Sequence, residues 1–228
     1  TGATLTVTFD SGEGNRFSRE MMDEFVSAVA DARNDEGLRF IRLRAEGDTF
    51  CLGRDKGGAD PDEIRAMARR ISTVFETLRT TPLTVVAEIN GSAAGFGVGI
   101  VGASDIAVAA DGATFTFPEI RAGFAPAVVI SWARFMLPPR LLYDMVSTGD
   151  PIGAERAERA GLVTEIVPRD RLAERVDERL ARLEQIDAFA LREMKHFLIF
   201  TRAMDPATAS EASVDALVFS GLRVVGKF

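Results

Sequence analysis

Two separated segments hold the residue types and spacings best suited to chemistry: Gly47-Asp-Thr-Phe-Cys-Leu-Gly-Arg-Asp55 and Ala87-Glu-Ile-Asn-Gly-Ser-Ala-Ala-Gly-Phe-Gly-Val-Gly99. Each reads as a strand turning into a helix. Small residues stand where a backbone must come close to something, and the first helical turn leaves N–H groups without intrahelical partners. Donors arranged in this way can hold a developing negative charge. Taken singly, either loop is equally a tight turn whose glycines supply positive φ. Gly97-Val-Gly-Ile-Val-Gly102 also satisfies the G-x-G-x-x-G pattern of a dinucleotide site, with Glu119 near the distance expected of its acid. Its context argues against that chemistry. The first glycine of such a site ends a strand, whereas residues 90–96 intervene here, and the next strand starts near Ile106, too soon for a crossover helix.

Other reactive side chains are few. One cysteine, Cys51, excludes an internal disulfide and a Cys-rich zinc site. It ends an apolar strand with no base beside it, the setting of a buried, inert thiol. With one histidine, a Ser-His-Asp mechanism would have to run through His196, and an imidazole metal site has a single ligand to use. His196, in Lys195-His-Phe of a C-terminal helix, reads as a surface or interface residue, and no metal site is expected. Thirty-four acids against 27 bases give a net charge of -7, which disfavours nucleic acid or an anionic membrane as partner and leaves a small anionic ligand open.

These loops need elements to position them. With 228 residues, 46% hydrophobic and 27% charged, the chain suits one main folded domain with a helical annex and excludes disorder. No apolar run approaches the ~20 residues of a membrane helix. No signal peptide opens the chain, so a reducing cytoplasm is the expected location. Period-two alternation predicts a strand over residues 4–9, after which Ser18 caps a helix with Met22, Phe25, Val26 and Val29 on one face. Strands follow over 38–43, 84–89, 106–110 and 114–117. Pro61 opens a helix striped by Ile64, Met67, Ile71, Val74 and Leu78, and 90–102 form a Gly/Ala-rich turn entering a helix. Beyond Pro151 the pattern is mostly helical: 153–160 stop at Gly161, a short strand covers 162–167, and three amphipathic helices close the chain, the first striped by Leu172, Val176, Leu180 and Leu183. The expectation is an α/β core over 1–168 and a helical region over 169–228 that packs on the core or on a neighbouring subunit.

Read together, the two loops, Ser104-Asp105-Ile106, Phe117-Pro-Glu-Ile-Arg-Ala-Gly123, Thr148-Gly-Asp-Pro-Ile152 and Ala157-x-x-Ala-Gly-Leu-Val163 resemble the crotonase, or enoyl-CoA hydratase/isomerase, superfamily over nearly the whole chain. The resemblance implies a spiral of ββα units in two sheets, with a C-terminal helical region used for trimers, often paired into hexamers. It implies an acyl-CoA thioester as substrate, no separate cofactor, and two backbone N–H donors to the thioester oxygen, which fall on Arg54 and Phe96. Leu52, Gly53, Gly95 and Gly97 then line the cradle, and Trp132, with Phe135, is placed to line an acyl pocket or to pack in the core. Arg16, Arg54, Lys56 and Lys195 are the bases within reach of CoA phosphates, or simply solvated. Hydratases of the family use two glutamates. Their positions are Gly99 and Glu119 here, so only the second carboxylate is kept, the pattern of a double-bond isomerase with one acid/base. A hydratase, a C–C-forming or C–C-cleaving relative, a silent family member and an NAD-binding oxidoreductase stand as the alternatives.

Overall fold

The computed structural model describes residues 2–55, 57, 58 and 60–226. Two sheets organise the first part of the chain. The larger is wholly parallel and combines β1 (Thr4–Phe9), β2 (Phe40–Ala45), β4 (Thr84–Ile89), β6 (Ile106–Ala110) and β9 (Glu165–Val167) in the order β1-β2-β4-β6-β9. The smaller holds β3 (Thr49–Cys51), β5 (Ser92–Ala94), β7 (Thr114–Thr116) and β8 (Ile152–Gly153), the first three parallel and β8 antiparallel to β7.

Successive pairs β2–β3, β4–β5 and β6–β7 each give their first strand to the large sheet and their second to the small one. A helical segment then carries the chain back: α2 (Pro61–Thr80), α3 (Phe96–Ala103), and a 3-10 turn (Pro118–Ala122) followed by α4 (Ala127–Ala133) and α5 (Pro139–Thr148). This is the spiral of ββα units. Helix α1 (Arg19–Arg33) follows β1, and α6 (Ala154–Arg159) precedes β9. The Ser18 side chain accepts from the Met21 N–H and starts α1; Asp60 does the same for Asp62 and Glu63, with Pro61 at the first position of α2. Of the expected α2 stripe, Met67, Ile71, Val74 and Leu78 are buried, but Ile64, in the first turn, is half exposed.

Alternation along the strands gives the large sheet two different faces. Phe9, Ile41, Leu43, Val85 and Ile89 point into the main core with α1 and α2. On the other face, Arg42 pairs with Glu88, both nearly buried, and reaches Asp177 of α7 (Leu172–Glu184) at 2.7 Å. Glu165 of β9 likewise accepts from Arg175 and Arg179 of α7. These pairs, with Leu172, Val176 and Leu180 buried, seat the start of α7 in the first unit. The chain accordingly divides into residues 1–181 and 182–228, within α7 and not at the boundary expected at 168/169. The second unit contains α8 (Ala188–Thr201) and α9 (Pro206–Val224), held together by Phe189 against Phe219 at 5.7 Å and by Arg223, which covers the Phe189 ring and pairs with Asp187 at 3.0 Å. Among the described residues no helix is long and apolar enough to cross a membrane.

Strand limits differ from the expected ones for local reasons. The Leu38 N–H bonds to the Asp35 carbonyl in the turn after α1, so pairing starts at Phe40. Leu162 and Val163 both donate to the Ala157 carbonyl as part of the α6 exit, and the strand shortens to 165–167. Within the turn expected over 90–102, Ser92–Ala94 pairs as β5 before α3 begins.

Candidate active site

Three neighbouring parallel strands of the small sheet, β3, β5 and β7, release the chain at the same edge. Cys51 pairs with Ala93, and Ala93 with Phe115. From those matched positions Arg54 and Phe96 each stand three residues further on, and Glu119 four. Adjacent strands lie about 4.8 Å apart, so the register alone brings three separate stretches of sequence to one place.

The first loop turns at Gly53, whose φ of 113° is closed to side chains with a Cβ. Gly53 and Asp55 bond to the two sides of Phe17, the Phe17 N–H to the Gly53 carbonyl at 3.1 Å and the Asp55 N–H to the Phe17 carbonyl at 2.9 Å. In that parallel bridge the intervening Arg54 N–H faces away from Phe17. Leu52 is fixed on both sides: its N–H donates to the Gly14 carbonyl at 2.7 Å, and its carbonyl accepts from Arg16 Nη1 at 2.7 Å.

Gly95 precedes the second donor with φ 50°, while its own N–H is tied to the Thr116 carbonyl at 2.9 Å. Helix α3 then begins at Phe96. Its first internal bond runs from the Gly99 N–H to the Gly95 carbonyl, which leaves the Phe96 N–H in the unpaired first turn. Among the described residues, neither the Arg54 nor the Phe96 N–H donates to a backbone carbonyl. The Phe96 ring is buried between Phe75 at 5.4 Å and Phe17 at 5.2 Å, so packing pins the helix start. A Cβ on Gly97 would come within 2.1 Å of the Cys51 carbonyl oxygen, and one on Gly99 within 2.2 Å of the Phe75 ring. The glycines of the G-x-G-x-x-G stretch thus lie inside a helix and allow close packing, unlike a dinucleotide turn.

Glu119 sits in the 3-10 turn after β7. Its Oε1 lies 2.0 Å from where a Gly95 Cβ would stand, so the carboxylate rests directly on the backbone that precedes the Phe96 N–H. Its Oε2 is buried without a hydrogen-bond partner. Burial raises the Glu119 pKa above the ordinary carboxylate value, while its own backbone N–H and the Arg54 charge pull in the lowering direction. The candidate site therefore combines two backbone N–H groups without a backbone carbonyl partner and one weakly solvated carboxylate.

The other candidates fall elsewhere. Cys51 is buried, donates to the Gly53 carbonyl at 3.3 Å, and burial pushes its thiol up to about 12, which leaves it protonated and inert. Trp132, on α4, meets Phe75 edge-on at 6.2 Å under the Arg79 guanidinium and is one ring removed from Phe96. Phe135 is exposed beneath Arg134. His196 is exposed and stacks on Phe200 within the second unit, where Lys195 is buried. Lys56 lies outside the described residues. No group of three or more His, Cys, Asp or Glu among the described residues could hold a metal ion. Two asparagines escaped the sequence reading. Asn15, buried at φ 47°, donates to the Glu46 and Thr49 carbonyls, and Asn90 donates to those of Ala45 and Gly47. Together they clamp the β2–β3 connection upstream of Arg54. Asn15 had Gly12 and Gly14 around it as its only sequence signal, and Asn90 only the Gly91 that follows it.

Comparison with known proteins bears on the family and the fold. The chain is 31% identical over 215 residues to enoyl-CoA hydratase domain-containing protein 3, mitochondrial, of Rattus norvegicus, which spans 89% of this chain and 70% of that protein. The match to its Mus musculus counterpart, also 31% identical, covers 69% of this chain and about half, 54%, of that protein's length. It is 30% identical to the (7aS)-7a-methyl-1,5-dioxo-2,3,5,6,7,7a-hexahydro-1H-indene-carboxyl-CoA hydrolase of Rhodococcus jostii (strain RHA1), covering 82% of this chain and 73% of the other. Among solved structures, an enoyl-CoA hydratase of Mycobacterium smegmatis superposes with a TM-score of 0.93 over 96% of this chain and 87% of its own, at 21% identity. Human enoyl-Coenzyme A hydratase domain-containing protein 3 does so with 0.92 over 98% and 90%, at 24% identity. These two likenesses carry the fold. With the enoyl-CoA hydratase/isomerase family model matching residues 2–222, a span that contains both glycine turns and Glu119, the chain belongs to the enoyl-CoA hydratase/isomerase family.

Proposed function

We propose that this protein binds an acyl-CoA thioester with its carbonyl oxygen on the Arg54 and Phe96 N–H groups, and that Glu119 isomerises an enoyl-CoA double bond. The observation that carries this reading is the Glu119 carboxylate seated on Gly95, beside one of the two donors. As carboxylate, Glu119 takes a proton from C2 of a 3-enoyl thioester. The C–H electrons become an enolate whose oxygen is stabilised by the two N–H groups more than the ground-state carbonyl is. As carboxylic acid, Glu119 returns the proton to C4, and the double bond rests between C2 and C3. A base with a raised pKa suits both halves of that exchange. Gly99 supplies no second carboxylate, and its place inside α3 against Phe75 leaves no room for one, which disfavours hydration.

A second reading, hydrolysis of an acyl-CoA substrate by water, draws on the 30% identity to the Rhodococcus CoA hydrolase and uses the same donors and the same base. Incubation with 3-hexenoyl-CoA in D2O, followed by mass spectrometry, tests the first reading. Double-bond migration is expected, with deuterium entering only as far as the Glu119 carboxylic acid exchanges with D2O before it returns its proton, and Glu119→Gln should lower it roughly 10²–10⁴-fold. Rapid hydration of a 2-enoyl-CoA that survives Glu119→Gln would overturn it. Assembly as a trimer or a dimer of trimers is part of the proposal, supported by the apolar residues exposed on α8 and α9.

A further inference from the structure

We infer that Arg121, clasped by Asp150 and the Thr148 carbonyl, is a positioning residue for Glu119; this rests on the reading of Glu119 as acid/base. Glu119 belongs to a five-residue 3-10 turn, Pro118–Ala122. Such turns hold themselves weakly, because their hydrogen bonds are few and poorly aligned. The carboxylate oxygen Oε2 adds no anchor to the turn, since it is buried without a hydrogen-bond partner. Backbone bonds hold part of it, from the Gly95 N–H to the Thr116 carbonyl and from the Gly123 and Phe124 N–H groups back into the turn, and the side-chain anchors come from one place. On its upstream side the Thr116 hydroxyl donates to the Gly149 carbonyl at 3.0 Å. On its downstream side Arg121 Nε donates to the Thr148 carbonyl at 3.2 Å, and Arg121 Nη2 bonds to Asp150 Oδ1. All three partners lie in residues 148–150, where α5 ends at Gly149 with φ 68°. A Cβ on Gly149 would stand 3.1 Å from Arg121 Nε and 3.2 Å from Ile120 Cγ2, so the end of α5 is moulded to the turn. Asp150 is oriented in its own right, its N–H donating to the Thr148 hydroxyl at 3.1 Å.

Arg121 and Asp150 are 59% and 70% exposed, and an exposed ion pair contributes little to stability. Its consequence is geometric: release of the turn moves the carboxylate relative to the two N–H donors, and a displacement near 1 Å can cost on the order of a hundredfold in rate. The test follows 3-hexenoyl-CoA isomerisation in E119Q, R121M and R121K, with the melting temperature of each. R121M should lower kcat about tenfold to a hundredfold with KM within about twofold. Its melting temperature should stay within about 2 °C of the native protein. R121K, whose ammonium still reaches Asp150, should recover part of kcat. A kcat for R121M within twofold of native, beside an inactive E119Q, overturns the positioning role alone. So does a raised KM at unchanged kcat, or a loss that tracks a lowered melting temperature and is not recovered in R121K. Native turnover in E119Q removes the acid/base reading, and this inference falls with it.

Discussion

At the scale of single residues, the proposed site depends on two glycines and one carboxylate. Proline at position 53 or 95 needs φ near -65°, against the 113° and 50° found there, and at 95 it also deletes the N–H that holds the Thr116 carbonyl. Gly53→Pro and Gly95→Pro should therefore abolish most isomerase turnover, whereas Arg54→Ala, which keeps the backbone donor, should retain much of it; steady-state kinetics on 3-hexenoyl-CoA would separate the two. Burial of Glu119 fixes the sign of its pH effects. Its folded pKa lies above the unfolded value, so its contribution favours the fold below the unfolded pKa and is lost as pH rises through the folded one. Glu119→Gln should accordingly gain in melting temperature relative to the native protein between acid and neutral pH. Turnover by native Glu119, which must be ionised to act, should fall on the acid side with a midpoint above the ordinary glutamate value of about 4.3.

At the scale of elements, the fold was legible where periodicity was strong. The strand at 4–9, the strand at 84–89 and the helix opened by Pro61 emerge with nearly their expected limits. β5 did not emerge, because Ser92-Ala-Ala94 has no β-branched or aromatic residue and is made a strand by its neighbours β3 and β7. The roles proposed for Glu119, Arg54 and Phe96 rest on local patterns, a Pro-Glu pair and two glycine turns, within the family resemblance. The Arg121–Asp150 clasp spans 29 residues and the Arg42–Glu88 pair 46, separations at which exposed or strand charges carry no pattern. That second pair has a measurable consequence. Arg42→Met leaves Glu88, 5% exposed, without its cation beneath α7, and removal of one partner of a buried pair costs about 3–5 kcal/mol. Urea unfolding should show that loss, and the double variant Arg42→Met, Glu88→Leu should regain most of it, since two apolar side chains strand no charge.

At the scale of the whole molecule, two surfaces have opposite character. A net charge of -7 keeps most of the surface self-repelling, yet α8 and α9 expose Met194, Leu198, Val214, Leu217 and Val218, each more than half accessible in the single chain. Helices amphipathic in pattern but exposed on their apolar side need a partner to hide it, and closed symmetric assemblies are the common solution. Association also has to overcome the repulsion of like-charged subunits, which salt screens beyond about 10 Å at 0.1 M. In 0.15 M salt, sedimentation should therefore give a species of about three or six times the 24.7 kDa chain, with the equilibrium shifting toward monomer as salt is lowered. Leu217→Asp, at a position 74% exposed in the chain, should leave the fold of the monomer intact while disrupting assembly, because the added charge is solvated in the free chain and desolvated only at a contact. An unchanged sedimentation profile for that variant would move the expected contact away from α9, and a native protein that runs as monomer at every salt concentration would overturn the assembly.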